Sequence, residues 1–502
     1  MIPLTAQQIA DAVDGTLVGV ADPAGLTCTS ATTDSREAAP GGLFVAKPGE
    51  STDGHRFIPA AMASGAVLSL AERETRDAEG APHPAVLVDD VVAAMGRLAR
   101  EVLRLLRAAG EVTVLGITGS AGKTTTKDLL AGVLGEAGPT VAPVGSYNGE
   151  VGVPLTVFRA DYGTRYLVIE MGANALGNIR YLCDIVAPDY GAVLKVGTAH
   201  AGEFGGVENI ALTKGELAEG VAAHGGVALN ADDPRVVAMA PRASAPVAYF
   251  GVRGRHAAER LDPSADGIAL VEAADLRTDA SGCPAFRLVL PDGAEHEVAS
   301  RLIGEHHVYN LLAAATLAHL VGIPGAAIAR SLSSQRAGSR YRMERTDRPD
   351  GVTVINDAYN ANPESMAAAL RTLAQMGRDA EPPRRTWAVL GAMLELGEAS
   401  LAEHDKLGRD VVRLNIAHLI AVGGEAKPVF NSALLEGSWG DEAMWVETAE
   451  EAERVLEERL RPGDIVLVKS SNGAGLRFLG DRVAQSPAGD PRPEQHSLEE
   501  RR

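Results

Sequence analysis

The sequence predicts an α/β protein of three domains, and three observations carry that reading. At 502 residues the chain is too long for one hydrophobic core. Short apolar strand candidates alternate with helical stretches from residue 109, and the alternation restarts at residue 339. Between two such stretches lies Gly116-Ile117-Thr118-Gly119-Ser120-Ala121-Gly122-Lys123-Thr124-Thr125, after the apolar run Val112 to Leu115 and before a segment without Gly or Pro. A strand that breaks at glycines and turns into a helix aims backbone N–H groups at one point, where a phosphate is held.

Residues 1–108 mix short strands and helices, with Leu43–Ala46 reading as a strand and Val91–Ala108 as a helix with an apolar stripe. In residues 109–338, Val112–Thr118, Tyr166–Glu170, Ala192–Val196 and Gly226–Leu229 are strand candidates, with helices such as Val207–Ala222 between them. Strands alternating with helices predict a parallel sheet covered on both faces. Residues 339–484 repeat the pattern with strands at Val352–Asn356, Thr386–Leu390, His418–Val422 and Ile465–Val468. The stretch 485–502, rich in Pro, Glu and Arg, is expected to be disordered.

Composition narrows the function classes. A net charge of −19 argues against nucleic acid as the main partner, because no basic stripe easily dominates such a field. No apolar run is long enough for a transmembrane helix. The N-terminus lacks a basic region followed by an apolar segment, so no secretory signal is expected. Cys28, Cys183 and Cys283 are far apart, without metal-ligand spacing, and read as reduced thiols of a cytoplasmic protein.

The glycine-rich segment predicts nucleotide chemistry. Lys123 adds a mobile positive charge beside the phosphate point, and the Thr124 hydroxyl is placed for the Mg²⁺ that accompanies a nucleoside triphosphate. The spacing is a variant: Ile117 occupies the usual first glycine position, and the glycine arrives at Gly119. Glu170 ends one strand candidate and His200 follows the next, which puts both on the rim where α/β sheets bind ligands. Lys214 follows inside a helical stretch.

Taken together, these segments resemble the Mur ligase family. The resemblance is carried by Thr118-Gly119-Ser120-Ala121-Gly122-Lys123-Thr124, Ile169-Glu170-Met171-Gly172-Ala173, Gly197-Thr198-Ala199-His200 and Thr213-Lys214-Gly215-Glu216. Asp357-Ala358-Tyr359-Asn360-Ala361-Asn362-Pro363 and the run Val389 to Gly397 are most similar to one branch, whose members join D-alanyl-D-alanine to UDP-N-acetylmuramoyl-tripeptide. Thr33-Asp34-Ser35-Arg36, Pro40 to Ala46 and Asp53-Gly54-His55 resemble that family's UDP-sugar domain. The resemblance implies an N-terminal UDP-sugar-binding domain, a central P-loop ATPase domain and a C-terminal Rossmann-like domain.

What it further implies is an ATP-dependent ligase of peptidoglycan precursor synthesis. ATP phosphorylates a carboxylate, and an amine attacks the resulting acyl-phosphate. Gly119, Ser120, Ala121, Gly122, Lys123, Thr124 and Thr125 would bind ATP, with Lys123 on the β/γ-phosphates. Thr124, Glu170, His200 and a carbamylated Lys214 would serve Mg²⁺. Asn310 matches the adenine-side asparagine, Arg342 an arginine reaching the nucleotide phosphates, and Asp357 a ribose contact. Ser35 and Arg36 would contact the uridine diphosphate, and Asn148, Asn360 and Asn362 the other substrate portions. Lys469 is a further candidate for the same crevice. The partners would be small molecules only, and the chain a monomer.

Departures from the family pattern fall at Gly149, Lys195, Ala201, His307 and Asn472. They leave Lys123, Thr124, Glu170, His200 and Lys214 intact and bear on the amine acceptor. Two alternatives stay open: a relative that uses another amine, and a nucleotide-binding regulator without ligation. Asp232-Asp233-Pro234-Arg235 looks like the Asp-Asn-Pro-Arg motif of diaminopimelate- or lysine-adding ligases but lies in the wrong domain.

Overall fold

The computed structural model describes residues 1–49, 52–197, 204–254, 269–438 and 440–485. His200, with Thr198, Ala199 and Ala201, lies outside the described residues, as does 486–502.

The first sheet has the order Thr16–Val18, Ala85–Leu87, Ala66–Ala71, Gly42–Val45, Ser30–Thr32, and is parallel except at its first pairing. Helix α1 (Val91–Ala109) starts at Asp90, whose carboxylate accepts from the Val92 and Ala93 N–H groups. Val91, Ala94, Met95, Leu98, Val102 and Leu106 recur at helical spacing and are buried in a core shared with the central unit. Arg100 donates to the Asp184 carbonyl and Arg107 to the Asp189 carboxylate, which fastens α1 to that unit.

Among the described residues the central sheet has nine strands, in the order Glu295–Ala299, Pro284–Val289, Ala269–Thr278, Val247–Val252, Gly226–Asn230, Tyr190–Val193, Thr113–Thr118, Tyr166–Glu170, Thr140–Val141. Helices α2 (Lys123–Ala137), α3 (Val207–Gly220) and α4 (His307–Leu320) cover it, α2 and α4 on one face, α3 with α1 on the other. The first two pairings are antiparallel and the rest parallel, so the strands expected from the sequence pair in parallel and an antiparallel edge is added to them. In Pro284–Val289 burial alternates residue by residue, as expected where a sheet has one solvated face. The expected strand Ala192–Val196 is instead Tyr190–Val193. Its continuation leaves the ladder because the Leu194 carbonyl accepts from Asn230, the Lys195 carbonyl from Ser120 N–H, and the Val196 N–H donates to Asp233.

The third sheet has the order Glu344–Asp347, Thr353–Asn356, Ile465–Lys469, Thr386–Leu390, His418–Val422, Ala443–Val446, parallel except at its first edge. Helix α5 (Pro363–Asp379) begins in a capping box between Asn362 and Ser365, and α6 (Ser400–Arg413) packs beside it. Among the described residues no helix is long and apolar enough to cross a membrane.

Candidate active site

A cleft of about 1440 Å³ lies between the central and third sheets, lined from both sides. Its floor is the loop before α2. Gly119 and Gly122 take φ of +152° and +87°, a region that β-carbons disfavour. A β-carbon at Gly119 would come within 2.9 Å of Leu194 Cβ, and one at Gly122 would run into Asn310 Oδ1. Both glycines are therefore fixed by conformation and by contact. Lys123 Nζ donates to the Gly119 carbonyl at 2.8 Å, and desolvation lowers its pKa against the pull of Glu170.

Beside the loop stands a buried acid. Glu170 Oε1 accepts from Ser146 Oγ (2.9 Å) and Asn148 Nδ2 (2.7 Å), while Oε2 is buried without a hydrogen-bond partner among the described residues. Thr124 Oγ1 reaches Ser146 Oγ at 3.5 Å, so hydroxyls join the two candidate metal residues. A bare carboxylate oxygen beside a hydroxyl suits a hard divalent cation. Among the described residues no group of three or more His, Cys, Asp or Glu is placed to hold a metal, so Mg²⁺ would take further ligands from phosphate and water. The donors fit Mg²⁺ on those terms.

Lys214, on α3, is buried, and burial first and Lys123 second bring its pKa down to about 7. From α4, Asn310 Nδ2 bonds His307 Nδ1 at 3.0 Å, and Thr126 Oγ1 donates to Asn310 Oδ1 at 3.4 Å. That places the proton of a neutral His307 on Nε2, which is buried without a partner among the described residues. Burial keeps His306 down at about 4 and holds His307 well below the usual imidazole range. Both rings line the cleft as neutral groups.

The third unit closes the other side. Arg342 Nη2 donates to Thr124 Oγ1 at 3.4 Å, and its guanidinium lies 4.5 Å from the Tyr359 ring centre. Tyr341 and Met343 flank it at positive φ, strain that fixes its direction. Asp357 pairs with Lys469 at 2.6 Å and accepts from Met343 N–H at 3.0 Å. Lys469 also donates to the Asn360 carbonyl at 3.0 Å.

Of the expected residues, the glycine-rich loop, Asn148, Glu170, Lys214, Asn310, Arg342, Asp357, Asn360, Asn362 and Lys469 share this cleft. Ser35 and Arg36 do not line it, and Arg36 forks onto Asp34 on an exposed turn. The Asn362 side chain is used as the cap of α5. Of the departures, Gly149, His307 and Lys195 line the cleft, the last with an exposed side chain, whereas Asn472 lies outside it beside Arg477. Sequence reading missed Ser146, Asp233, Glu364, Arg371 and Lys406, all on the cleft wall. Asp233 had a usable signal, because it comes after a strand as Asp357 does.

The Mur ligase middle domain matches residues 117–318, the Mur ligase glutamate ligase domain residues 341–472, and the Mur ligase family catalytic domain residues 27–102. The UDP-N-acetylmuramoyl-tripeptide–D-alanyl-D-alanine ligase of Mycobacterium tuberculosis is 43% identical across 98% of this chain and 100% of its own length. Its Escherichia coli counterpart is 32% identical across 86% and 88%. MurF from Acinetobacter baumannii superposes with a TM-score of 0.81 at 29% identity, covering 96% of this chain and 99% of its own. MurF ligase from Thermotoga maritima in complex with ADP gives 0.73 at 27% identity, covering 91% and 97%. The chain belongs to the Mur ligase family.

Proposed function

We propose that this chain is an ATP-dependent amide ligase that joins D-alanyl-D-alanine to UDP-N-acetylmuramoyl-tripeptide in peptidoglycan precursor synthesis. The reading is supported by curated relatives of that activity along nearly the whole chain. The observation that carries the chemistry is one cleft into which Lys123, Glu170 and Lys214 project from the central unit, and Arg342 and Asp357 from the third. Amide formation from a carboxylate is uphill in water, and phosphoryl transfer from ATP supplies the leaving group. The terminal carboxylate of the tripeptide takes the γ-phosphoryl, ADP leaves, and the dipeptide amine displaces phosphate from the acyl-phosphate.

In this reading the Gly119–Thr125 loop wraps the phosphates, Lys123 neutralises the β/γ-oxygens, and Arg342 adds a planar fork from across the cleft. Thr124 and Glu170 would hold Mg²⁺, with His200 as a further ligand, and the ion when bound offsets charge building on the transferring group. A Lys214 amine with a pKa near 7 is substantially neutral at neutral pH, the form that adds CO₂ with loss of a proton to give a carbamate. That change turns a buried cation into an anion suited to magnesium. Three domains, divided near residues 108 and 338, a cytoplasmic location and a monomeric state complete the reading.

Phosphate release in the purified protein tests it. Release should require ATP, the UDP-tripeptide and D-Ala-D-Ala together. Nucleotide binding with no such turnover would instead favour a regulator.

A further inference from the structure

The amine acceptor has no pocket assigned to it so far, and α5 offers one. Residues Glu364, Ala367, Ala368, Arg371 and Gln375 all line the cleft and fall at helical intervals, so they form one stripe along α5. The stripe has a direction. At its first turn the Glu364 carboxylate lies beside Gly197, whose N–H donates to Ser120 Oγ of the phosphate loop at 3.0 Å: a β-carbon on Gly197 would meet Glu364 Oε1 at 3.0 Å and Ser120 Cβ at 3.4 Å. Two turns later, about 10.5 Å along the axis, Arg371 presents an exposed guanidinium. Lys406, on the neighbouring α6, adds a second exposed cation to the same wall. Between the acid and the cations the stripe is only alanine, a shallow shelf without bulk.

Resting on the ligase reading above, we propose that this stripe is the subsite of the acceptor dipeptide. Glu364 faces its ammonium group, Ala367 and Ala368 flank its two methyl side chains, and Arg371 with Lys406 takes its carboxylate. A dipeptide zwitterion is shorter than the axial distance between Glu364 and Arg371, and the lengths of those side chains make up the difference. The polarity then sets the reaction's orientation, because the amine end lies against the loop where the acyl-phosphate forms. It also explains selection for a dipeptide over a single amino acid, whose charges are too close together to reach both ends.

The test is steady-state ligation by the full-length protein with UDP-muramoyl-tripeptide and ATP, comparing D-Ala-D-Ala with its C-terminal amide. Wild type should prefer the free acid at least tenfold. Arg371→Gln should raise the dipeptide KM tenfold or more, leave the KM for ATP and UDP-tripeptide within twofold, and abolish the preference over the amide. Arg371→Lys should recover part of both effects, and Lys406→Gln should produce the same pattern more weakly. Ala368→Leu, which fills the shelf, should raise the dipeptide KM without changing the acid-to-amide ratio. Unchanged dipeptide KM and unchanged discrimination in Arg371→Gln and Lys406→Gln, with wild type ligating normally, would overturn the subsite. A wild type that fails to ligate any dipeptide defeats the ligase reading instead, so the two failures are distinguishable.

Discussion

The two walls of the cleft are built in opposite ways. The central wall is internally bonded around buried charges: Glu170 is fully buried, Lys214 nearly so, and Ser146 and Asn148 hold the acid in place, with Thr124 bonded to Ser146. The third unit has a buried anchor in the Lys469–Asp357 pair and also offers exposed side chains such as Arg371 and Lys406. Under the proposed function the contrast follows from what each wall would do. A triphosphate carries high charge density, and fixed cations in a desolvated site act on it far more strongly than they would in water. A small zwitterion arrives and leaves with each turnover, and flexible surface charges suit that traffic.

If the central wall acts through preorganised charge, removing a single central charge should produce the largest loss. Lys123→Met is expected to lower kcat for phosphate release by about 10²–10³-fold, the usual cost of one preorganised charge donor. A decrease of only a few-fold would mean that the backbone N–H groups hold the phosphates alone, and the contrast would weaken. The buried anchor on the opposite wall should behave as structure. Lys469→Met strands Asp357, which also fixes the backbone at Met343 beside Arg342. Breaking a buried pair on one side costs about 3–5 kcal/mol, with the lower end expected here because Asp357 keeps some exposure. Denaturant unfolding measures it, and the double variant Lys469→Met/Asp357→Asn should recover most of the loss.

The same contrast explains what the sequence made legible. The phosphate loop was readable because its backbone demands glycine at Gly119 and Gly122, and a backbone demand leaves a mark at fixed spacing. Glu170 and Asp357 were readable because strand ends point at the crevice. The acceptor wall left no such mark. Arg371 and Lys406 look like any solvated helix charge until tertiary packing shows which side of α5 and α6 faces the cleft. The strand expected to run to Val196 ended at Val193 for a similar reason, since its last groups bond Asn230, Ser120 and Asp233, partners that periodicity cannot see.

Lys214 sharpens the comparison from the side of stability. Its pKa in the fold, about 7, lies below the value of roughly 10.4 for an exposed lysine. The unfolded chain therefore holds the proton more tightly than the fold does. With CO₂ excluded, this residue makes the protein less stable as pH falls from about 10.4 toward 7, with no further loss below that. Lys214→Met should remove that slope and raise the melting temperature at pH 7, at about 2–4 °C per kcal/mol for units of this size. Ligation should nevertheless collapse. Equal melting shifts at pH 7 and pH 9.5 would show that Lys214 is not a buried neutral amine.

The smallest effect is expected at Asn362, where the two walls meet. The sequence marks it as a substrate contact, yet its carboxamide accepts from Ser365 N–H at 2.8 Å and caps the helix that carries Glu364 and Arg371. A cap acts on the acceptor only by keeping the first turn of α5 in place. Asn362→Ser should preserve the cap and leave both melting temperature and dipeptide KM nearly unchanged, because serine caps about as well as asparagine. Asn362→Ala should cost about 1 kcal/mol and raise the dipeptide KM a few-fold through fraying at Glu364, with the KM for ATP unaffected. If Asn362→Ser instead abolishes ligation while the melting temperature holds, the carboxamide touches substrate itself, and the acceptor wall is more preorganised than its exposed cations suggest.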